Sequence, residues 1–483
     1  MADSATTIVK NSILFTVAPL LPKVINVFLM PIMTRYLTDV DFGISGTISA
    51  YSQAIGAFAV LGMGVVLQAS FYKNPENYKD LWRKIYGFLN VWMIIYAIIQ
   101  GILLYFIIPE EAIDNRWWII ILTNFSTVFF GPTATIGQRY FQYNKQAVPV
   151  VWRSLFASVL TVVVDFVLIV FFRWGYMGWY VGSFAGTFFS NASYWYTVNY
   201  KLGFYPNYHF KWTEIKRALS VSMPTIPHYY TSYLLDGSGR MVMDQYDIPQ
   251  AEIGRVSLTQ QIGGLFSMGM MGINQALSPF FMQFIKENKE KSGYKLGLLY
   301  VAVCFMMAFL FSIWSKELFD LLISNASLKT AYPLCIAYVM ALCYRPMYVM
   351  AARYNFYYEQ TKQLLLITFV AGIIAILLYI ILTPFLGIWG FLVGHYIASL
   401  YYGYSGYFYS CYKENSKIKF PFVIIFFIQI GLTLIAFPLV ELLLLKTLVT
   451  LFIVVALTIL LYKNKHYFIK KKKVKQLYDE KTY

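Results

Sequence analysis

The chain has 483 residues, 59% of them hydrophobic and 13% charged, with a mean hydropathy of +0.57. A soluble domain carries roughly 25% charged residues, so this composition excludes a soluble globular protein and points to one embedded in a bilayer. The formal net charge of +16 is spread over short loops and a lysine-rich tail, which suits an anionic membrane leaflet and argues against nucleic acid as a partner.

The first apolar stretch, residues 16–43, carries a lysine near its middle, Lys23. Read as a helix, Ser12, Thr16, Pro19, Lys23, Asn26 and Thr34 fall on one face, with Met30 the single apolar interruption. A cation at the centre of a membrane helix costs on the order of 2.5–3.5 kcal/mol, so such a helix is expected to face protein, water or an anionic ligand. Further apolar runs of membrane-crossing length follow near 43–71, 85–108, 117–139, 149–171 and 175–199, then 219–244, 252–285, 294–314, 330–353, 363–383 and 387–411, and a last pair at 420–440 and 447–462. With 11–36 that makes fourteen. Many tryptophans, among them Trp82, Trp117, Trp118 and Trp174, lie near run ends, where amphipathic rings settle at headgroup level. The cysteines, Cys304, Cys335, Cys343 and Cys411, lack metal-ligand spacing and read as small hydrophobes. The polar N-terminus leads into a helix too long for a signal peptide, and no cleavage is expected.

Basic residues should gather on alternate, cytoplasmic loops. With both termini placed inside, Lys10, the loops 72–84, 139–148, 200–217, 286–295, 353–362 and 412–419, and the tail hold 28 of the 39 lysines and arginines. The opposite face is assigned Arg116, Arg173, Lys316, Lys329 and Lys446, beside acids such as Asp39, Asp41, Glu110, Asp247 and Glu252. Six cations fall inside the spans: Lys23, Arg35, Arg153, Arg240, Arg255 and Arg345.

A weak internal repeat is present. Pro19, Pro22, Lys23 and Arg35 match Pro224, Pro227, His228 and Arg240 at an offset of 205 residues, and Asp-Phe-Gly at 41–43 echoes Glu-Ile-Gly at 252–254 after six further residues. Both copies start on the same side, so the repeats would be parallel, as in many transporters. In the second copy Thr225, Tyr229, Ser232, Asp236 and Arg240 share a helical face, with Asp236 four residues before Arg240.

No metalloprotease, P-loop or dinucleotide motif occurs, and the histidines number four; no enzyme and no cofactor are expected. Arg35, Arg240 and Arg255 lie near outer helix ends, where pairing with Asp39, Asp41, Asp244 or Glu252 is the plainer alternative to cavity lining. Arg153 reads as an interfacial anchor, whereas Lys23 and Arg345 sit deep. Asp165, Asp236 and His228 are candidate counter-ions or carriers of a coupling proton or sodium ion; for His228 and His395 packing is the blander role. Prolines 19, 22, 31, 224, 227, 346 and 384 interrupt spans and suit hinges. Gly182 with Gly186 suits close helix packing.

The segments PIMTRYLTDVDFG, SMPTIPHYY and DGSGRMVMDQYDIPQAEIG, set in a fourteen-helix layout, resemble the Wzx-type polysaccharide flippases of the multidrug/oligosaccharidyl-lipid/polysaccharide exporter superfamily. The resemblance implies an all-α polytopic membrane protein with two parallel-repeat six-helix lobes, 1–211 and 212–412, and two extra helices with a basic tail at 413–483. It also implies alternating access in a bacterial plasma membrane. The implied cargo is an undecaprenyl-diphosphate-linked oligosaccharide of capsule, O-antigen or teichoic-acid type, handled near polysaccharide polymerase or ligase machinery. By position, the family's cavity cations map to Lys23, Arg35, Arg240, Arg255 and Arg345. Six intramembrane cations against two deep carboxylates suit a diphosphate. A cation-coupled multidrug exporter of the MATE type would want the opposite balance. A membrane-embedded glycosyltransferase or polymerase would want a large acidic outer loop, and 315–329 is short.

Overall fold

A computed structural model describes residues 21–73, 75–358, 360–416 and 420–463, and among these it is helical with no strand. Among the described residues seven helical stretches, some of them continued through a short turn or a change of helix type, are long and apolar enough to cross a membrane: Tyr78–Ile107, Glu110–Tyr143, Ala147–Phe171, Glu290–Ile313, Tyr332–Tyr357, Lys362–Leu386 and Phe422–Leu439. In their described residues the other expected spans are helical as well, but shorter, interrupted or more polar; residues 11–20 of the first span lie outside the described residues. The chain is a multi-pass, all-α membrane protein.

By contact the chain forms two compact units, one comprising residues up to Leu258 with Asp320–Ala331 and Gly372–Phe391, the other Thr259–Phe319, Tyr332–Ala371 and Leu392 onward. This division groups residues by contact and so differs in kind from the repeat lobes expected at 1–211 and 212–412.

The first unit begins with α1 (Leu21–Met33), α2 (Asp39–Gly56) and α3 (Gly64–Lys73). The start of α2 is set by a capping box: Thr38 Oγ1 accepts from the Asp41 backbone N–H while the Asp41 carboxylate accepts from the Thr38 N–H at 2.7 Å. Four long helices follow, α4 (Tyr78–Ile107), α5 (Arg116–Tyr143), α6 (Ala147–Phe166) and α7 (Tyr176–Tyr196). The pairs α6–α7, α5–α7 and α4–α5 pack along much of their lengths. A π-turn continues α6 (Val167–Phe171) and another continues α7 (Thr197–Lys201). One end of this bundle closes on Trp82, whose indole N–H donates to Ser70 Oγ at 2.9 Å, among Leu67, Leu89, Tyr143 and Phe204.

The seventh expected span is not one helix. It is α8 (Trp212–Ser222), a 3₁₀ turn at Met223–Thr225, α9 (Ile226–Asp236) and α10 (Ser238–Gln245). Pro224 and Pro227 lie in the first turns of the pieces they start, where a missing N–H costs nothing. Pro346 does the same in the tenth span, which is split into α15 (Tyr332–Leu342) and α16 (Arg345–Tyr357). These prolines act as starts of new helices, whereas Pro31 and Pro384 lie inside theirs.

Between these come α11 (Gln250–Lys286), α12 (Glu290–Ile313), α13 (Ser315–Leu322) and α14 (Ala326–Lys329). After α16 the chain continues through α17 (Thr361–Leu386), α18 (Ile388–Ser405), α19 (Ser410–Asn415), α20 (Phe422–Leu439) and α21 (Leu443–Lys463). In the second unit α12 packs against α15, α16, α20 and α21. The final helix pair is tied to the unit by charge. Lys446 is 1% exposed, its ammonium bonded to the Glu317 carboxylate and, at 2.7 Å, to the Val440 carbonyl, with the Trp314 ring 5.1 Å away. Lys316 and the Tyr332 hydroxyl both bond Glu441 in the turn before α21, and Lys316 holds that carboxyl below the usual range.

Candidate functional site

Lys23 lies on α1 and His228 on α9; the side chains of both fall outside the described residues. The backbone placement is informative nonetheless, because α1 packs against α6, the helix that carries Asp165. Asp165 is buried against the glycine face of α7. A Cβ built on Gly182 would overlap its Oδ1, and one on Gly186 would overlap Thr161 Oγ1, so the small residues read from sequence as packing residues also seat the carboxylate. Among the described residues Asp165 Oδ1 has no hydrogen-bond partner. One turn on, the π-turn Val167–Phe171 interrupts regular helix, a feature frequent at functional sites.

The cations of the α1–α2 and α10–α11 junctions are engaged more than their spacing suggested. Arg255 pairs with Asp39 at 3.5 Å and donates to Ser327 Oγ at 2.9 Å, and Ser327 Oγ donates to the same carboxylate oxygen at 2.6 Å. The partner is a carboxylate of the other sequence copy, not the nearby Glu252. The pair is partly exposed, and such pairs contribute about 0–1 kcal/mol. Arg255→Gln is therefore expected to lower stability by about 1 kcal/mol or less, measured by thermal unfolding in detergent, because Ser327 still satisfies Asp39.

Arg35 is exposed, its Nε 3.5 Å from Ser324 Oγ. That serine belongs to a clasp over the end of α1: its N–H donates to Thr34 Oγ1 at 2.9 Å, its hydroxyl to the Pro31 carbonyl at 2.6 Å, and Asn325 Nδ2 donates to the Leu37 carbonyl. Arg240 lies on α10 with its Cδ beside Gly46 of α2, and Asp236 is the last residue of α9, where Gly237 breaks the helix. The shared face drawn through Thr225, Asp236 and Arg240 is thus divided over three helical pieces.

Arg345 opens α16 at the break with α15 and donates from Nη1 to Ser267 Oγ at 3.2 Å. A guanidinium at a helix N-terminus adds to the positive end of the helix dipole. Together they make an anion-attracting point within a span. Arg153, by contrast, donates from each of its three nitrogens, to Ser193 Oγ, the Pro149 carbonyl and Thr197 Oγ1 at 2.7–3.0 Å, with Tyr194 and Phe141 rings beside it. His395 is buried and stacks on Tyr338 at 4.9 Å.

Sequence reasoning passed over three groups. Arg353, assigned to a loop, is buried in α16 and donates to the Gly293 carbonyl at 3.4 Å between Phe281 and Tyr354 rings. Lys446, assigned to the outer loop, is buried in α21. A network links Thr47, Gln250, Asp244, Tyr51 and Gln245: Thr47 Oγ1 donates to Gln250 Oε1, Gln250 Nε2 and Tyr51 OH donate to the Asp244 carboxylate, and Gln245 Nε2 donates to Tyr51 OH, at 2.7–3.1 Å. Tyr51 and Gln250 lie in the helices that carry the Asp-Phe-Gly and Glu-Ile-Gly echoes, which was the available signal. Among the described residues no cluster of metal-ligating side chains occurs.

The fold is shared with solved transporters. The lipid II flippase MurJ in an inward closed conformation superposes with a TM-score of 0.65 at 14% identity, covering 90% of this chain and 100% of that one. An inward-facing multidrug resistance MATE family transporter of the MOP superfamily superposes at 0.56 and 14% identity, covering 82% and 98%. The Vibrio cholerae MATE transporter VcmN in its bent form does so at 0.51 and 13%, covering 86% and 98%. No curated protein sequence matches the chain. The family described as polysaccharide biosynthesis protein matches residues 8–285, more than half the length, and the chain belongs to that family.

Proposed function

We propose that this protein is a flippase that turns an undecaprenyl-diphosphate-linked oligosaccharide from the cytoplasmic to the outer leaflet of a bacterial plasma membrane. The observation that carries the reading is the polysaccharide biosynthesis family match across residues 8–285, which spans the α1–α2 junction and its echo at α10–α11. The fold it shares with MurJ, named for flipping lipid II, supports a lipid-linked cargo over a soluble one. Lys23 and Arg345 hold the diphosphate in this reading; Arg35 and Arg240 guide it toward the outer face, and Arg255 belongs with them only when its bond to Asp39 opens. Two repeat lobes, 1–211 and 212–412, exchange access while the basic tail and both termini stay cytoplasmic. Asp165, with an oxygen lacking a partner among the described residues, is assigned to ion coupling, with Asp236 and His228 as its alternates.

The test is restoration of surface polysaccharide in a strain lacking the protein. Lys23→Ala and Arg345→Ala are expected to reach normal membrane levels and restore less than about a tenth of the wild-type amount, since each removes a charge-assisted contact worth about 1.5–3 kcal/mol. Full restoration by both removes Lys23 and Arg345 from diphosphate binding. In reconstituted vesicles, Asp165→Asn is expected to abolish stimulation by a proton or sodium gradient; stimulation that persists unchanged rejects Asp165 as the coupling residue.

A further inference from the structure

In the second unit, α12 and α20 run side by side and leave a groove of about 460 Å³ between them. Leu298, Ala302 and Phe305 form one wall, Ile428 and Leu432 the other, and Lys295 stands at the mouth. The rings of Tyr294 and Phe420 lie 5.9 Å apart, which sets the two helix starts at the same level. From Lys295 to Met306 the groove climbs eleven residues, about 16 Å at 1.5 Å per residue. That is close to half of a hydrocarbon core about 30 Å thick, so the groove's length matches the depth of one leaflet.

We propose that this groove binds one diacyl phospholipid with an anionic headgroup, drawn from the leaflet at the basic face. Lys295 meets the phosphate and an acyl chain lies in the groove. Charge supports this occupant. Lys295 is exposed and enters no ion pair among the described residues, and it lies in the second turn of α12, near in sequence to Lys291 in the first turn and to Lys286 at the end of α11. A lysine stem lying along apolar surface delivers its ammonium to headgroup level, and basic pockets between membrane helices collect anionic headgroups. Depth supports it too, because a groove confined to one leaflet matches a phospholipid chain and is too short to enclose a long polyprenyl tail. The walls contain one polar exception. Gln429 is 1% exposed; its Oε1 accepts from Tyr404 OH at 2.6 Å, and its Nε2 has no hydrogen-bond partner among the described residues. A hydrocarbon occupant makes no use of that N–H, whereas a sugar or other polar occupant would bond it.

The full-length protein, purified in mild detergent, is examined by native mass spectrometry and by thermal unfolding with added phosphatidylglycerol or phosphatidylcholine. The wild type is expected to retain a phospholipid and to gain more thermal stability from phosphatidylglycerol than from phosphatidylcholine. Lys295→Glu, a substitution at an exposed position, should weaken phosphatidylglycerol binding about tenfold and erase the preference. Leu298→Trp should fill the groove and remove retention of either lipid, while Gln429→Leu should leave binding intact. Equal response of the wild type to the two lipids, recovery of a polyprenyl phosphate in place of a phospholipid, or loss of binding in Gln429→Leu each overturns the proposal.

Discussion

Gly254→Ala is expected to cost about 2–3 kcal/mol of folding stability, and Gly43→Ala about the same, whereas Gly264→Ala on the same helix as Gly254 should be neutral or slightly stabilising. A Cβ on Gly254 would overlap the carbonyl oxygen of Asp39, and one on Gly43 would overlap the carbonyl oxygen of Gln250. Asp39 stands four residues before Gly43, and Gln250 four residues before Gly254. The contact is thus reciprocal: each repeat's glycine receives the backbone one turn upstream of its counterpart. Further along, Gly46 receives Ser257, each three residues past its own copy's glycine. Overpacking a fitted contact costs about 1–3 kcal/mol, and the upper end applies because the obstructing atoms are backbone oxygens that no rotamer change can withdraw. Gly264 has open space around it, and alanine there gains helix propensity. Because one separation of α2 from α11 relieves both clashes, the double variant Gly43→Ala/Gly254→Ala should cost clearly less than the two single costs added. A double-mutant cycle by thermal or denaturant unfolding in detergent measures this coupling; strictly additive costs would refute a shared crossing.

That crossing shows where the sequence was legible and where it stopped being so. Asp-Phe-Gly and Glu-Ile-Gly were visible as echoes because identical contacts select similar residues, yet nothing in one dimension says that two echoing segments touch. The apolar runs were legible because a bilayer demands long continuous hydrophobicity, and in the described residues each holds helix. Their interruptions were harder to read. Pro224, Pro227 and Pro346 signalled breaks, but a proline within a span fits a kinked helix as well as the start of a new one, and local pattern does not separate them. Charges were the least legible of all. Arg255 has Glu252 close by in sequence and pairs instead with Asp39 across the repeat. The six extra residues of the second copy likewise lengthen helix: α10 runs five residues past Arg240, whereas α1 ends before Arg35.

Glu317→Leu is expected to destabilise the protein more than Lys446→Met does, by about 3–5 kcal/mol against about 1–2 kcal/mol, although both remove the same ion pair. Burial is unequal: the Lys446 side chain is 1% exposed and that of Glu317 40%. Losing the lysine leaves a carboxylate that water can reach, and the methionine refills most of the space beside Trp314. Losing the carboxylate leaves an ammonium held by the Val440 carbonyl and the Trp314 ring alone, and a buried charge stripped of its partner costs about 3–5 kcal/mol. In sequence Lys446 looked like an ordinary outer-loop lysine because its partner is 129 residues away. The double variant Glu317→Leu/Lys446→Met should recover most of the loss, since replacing a buried pair by apolar groups of similar size is often close to neutral. The damage should centre on α20 and α21, which Lys446 and the Lys316–Glu441–Tyr332 cluster join to the second unit. Limited proteolysis between α20 and α21 reports it directly. Faster cleavage in Lys446→Met than in Glu317→Leu would reverse the expected order and show that the cluster is held by the exposed pair instead.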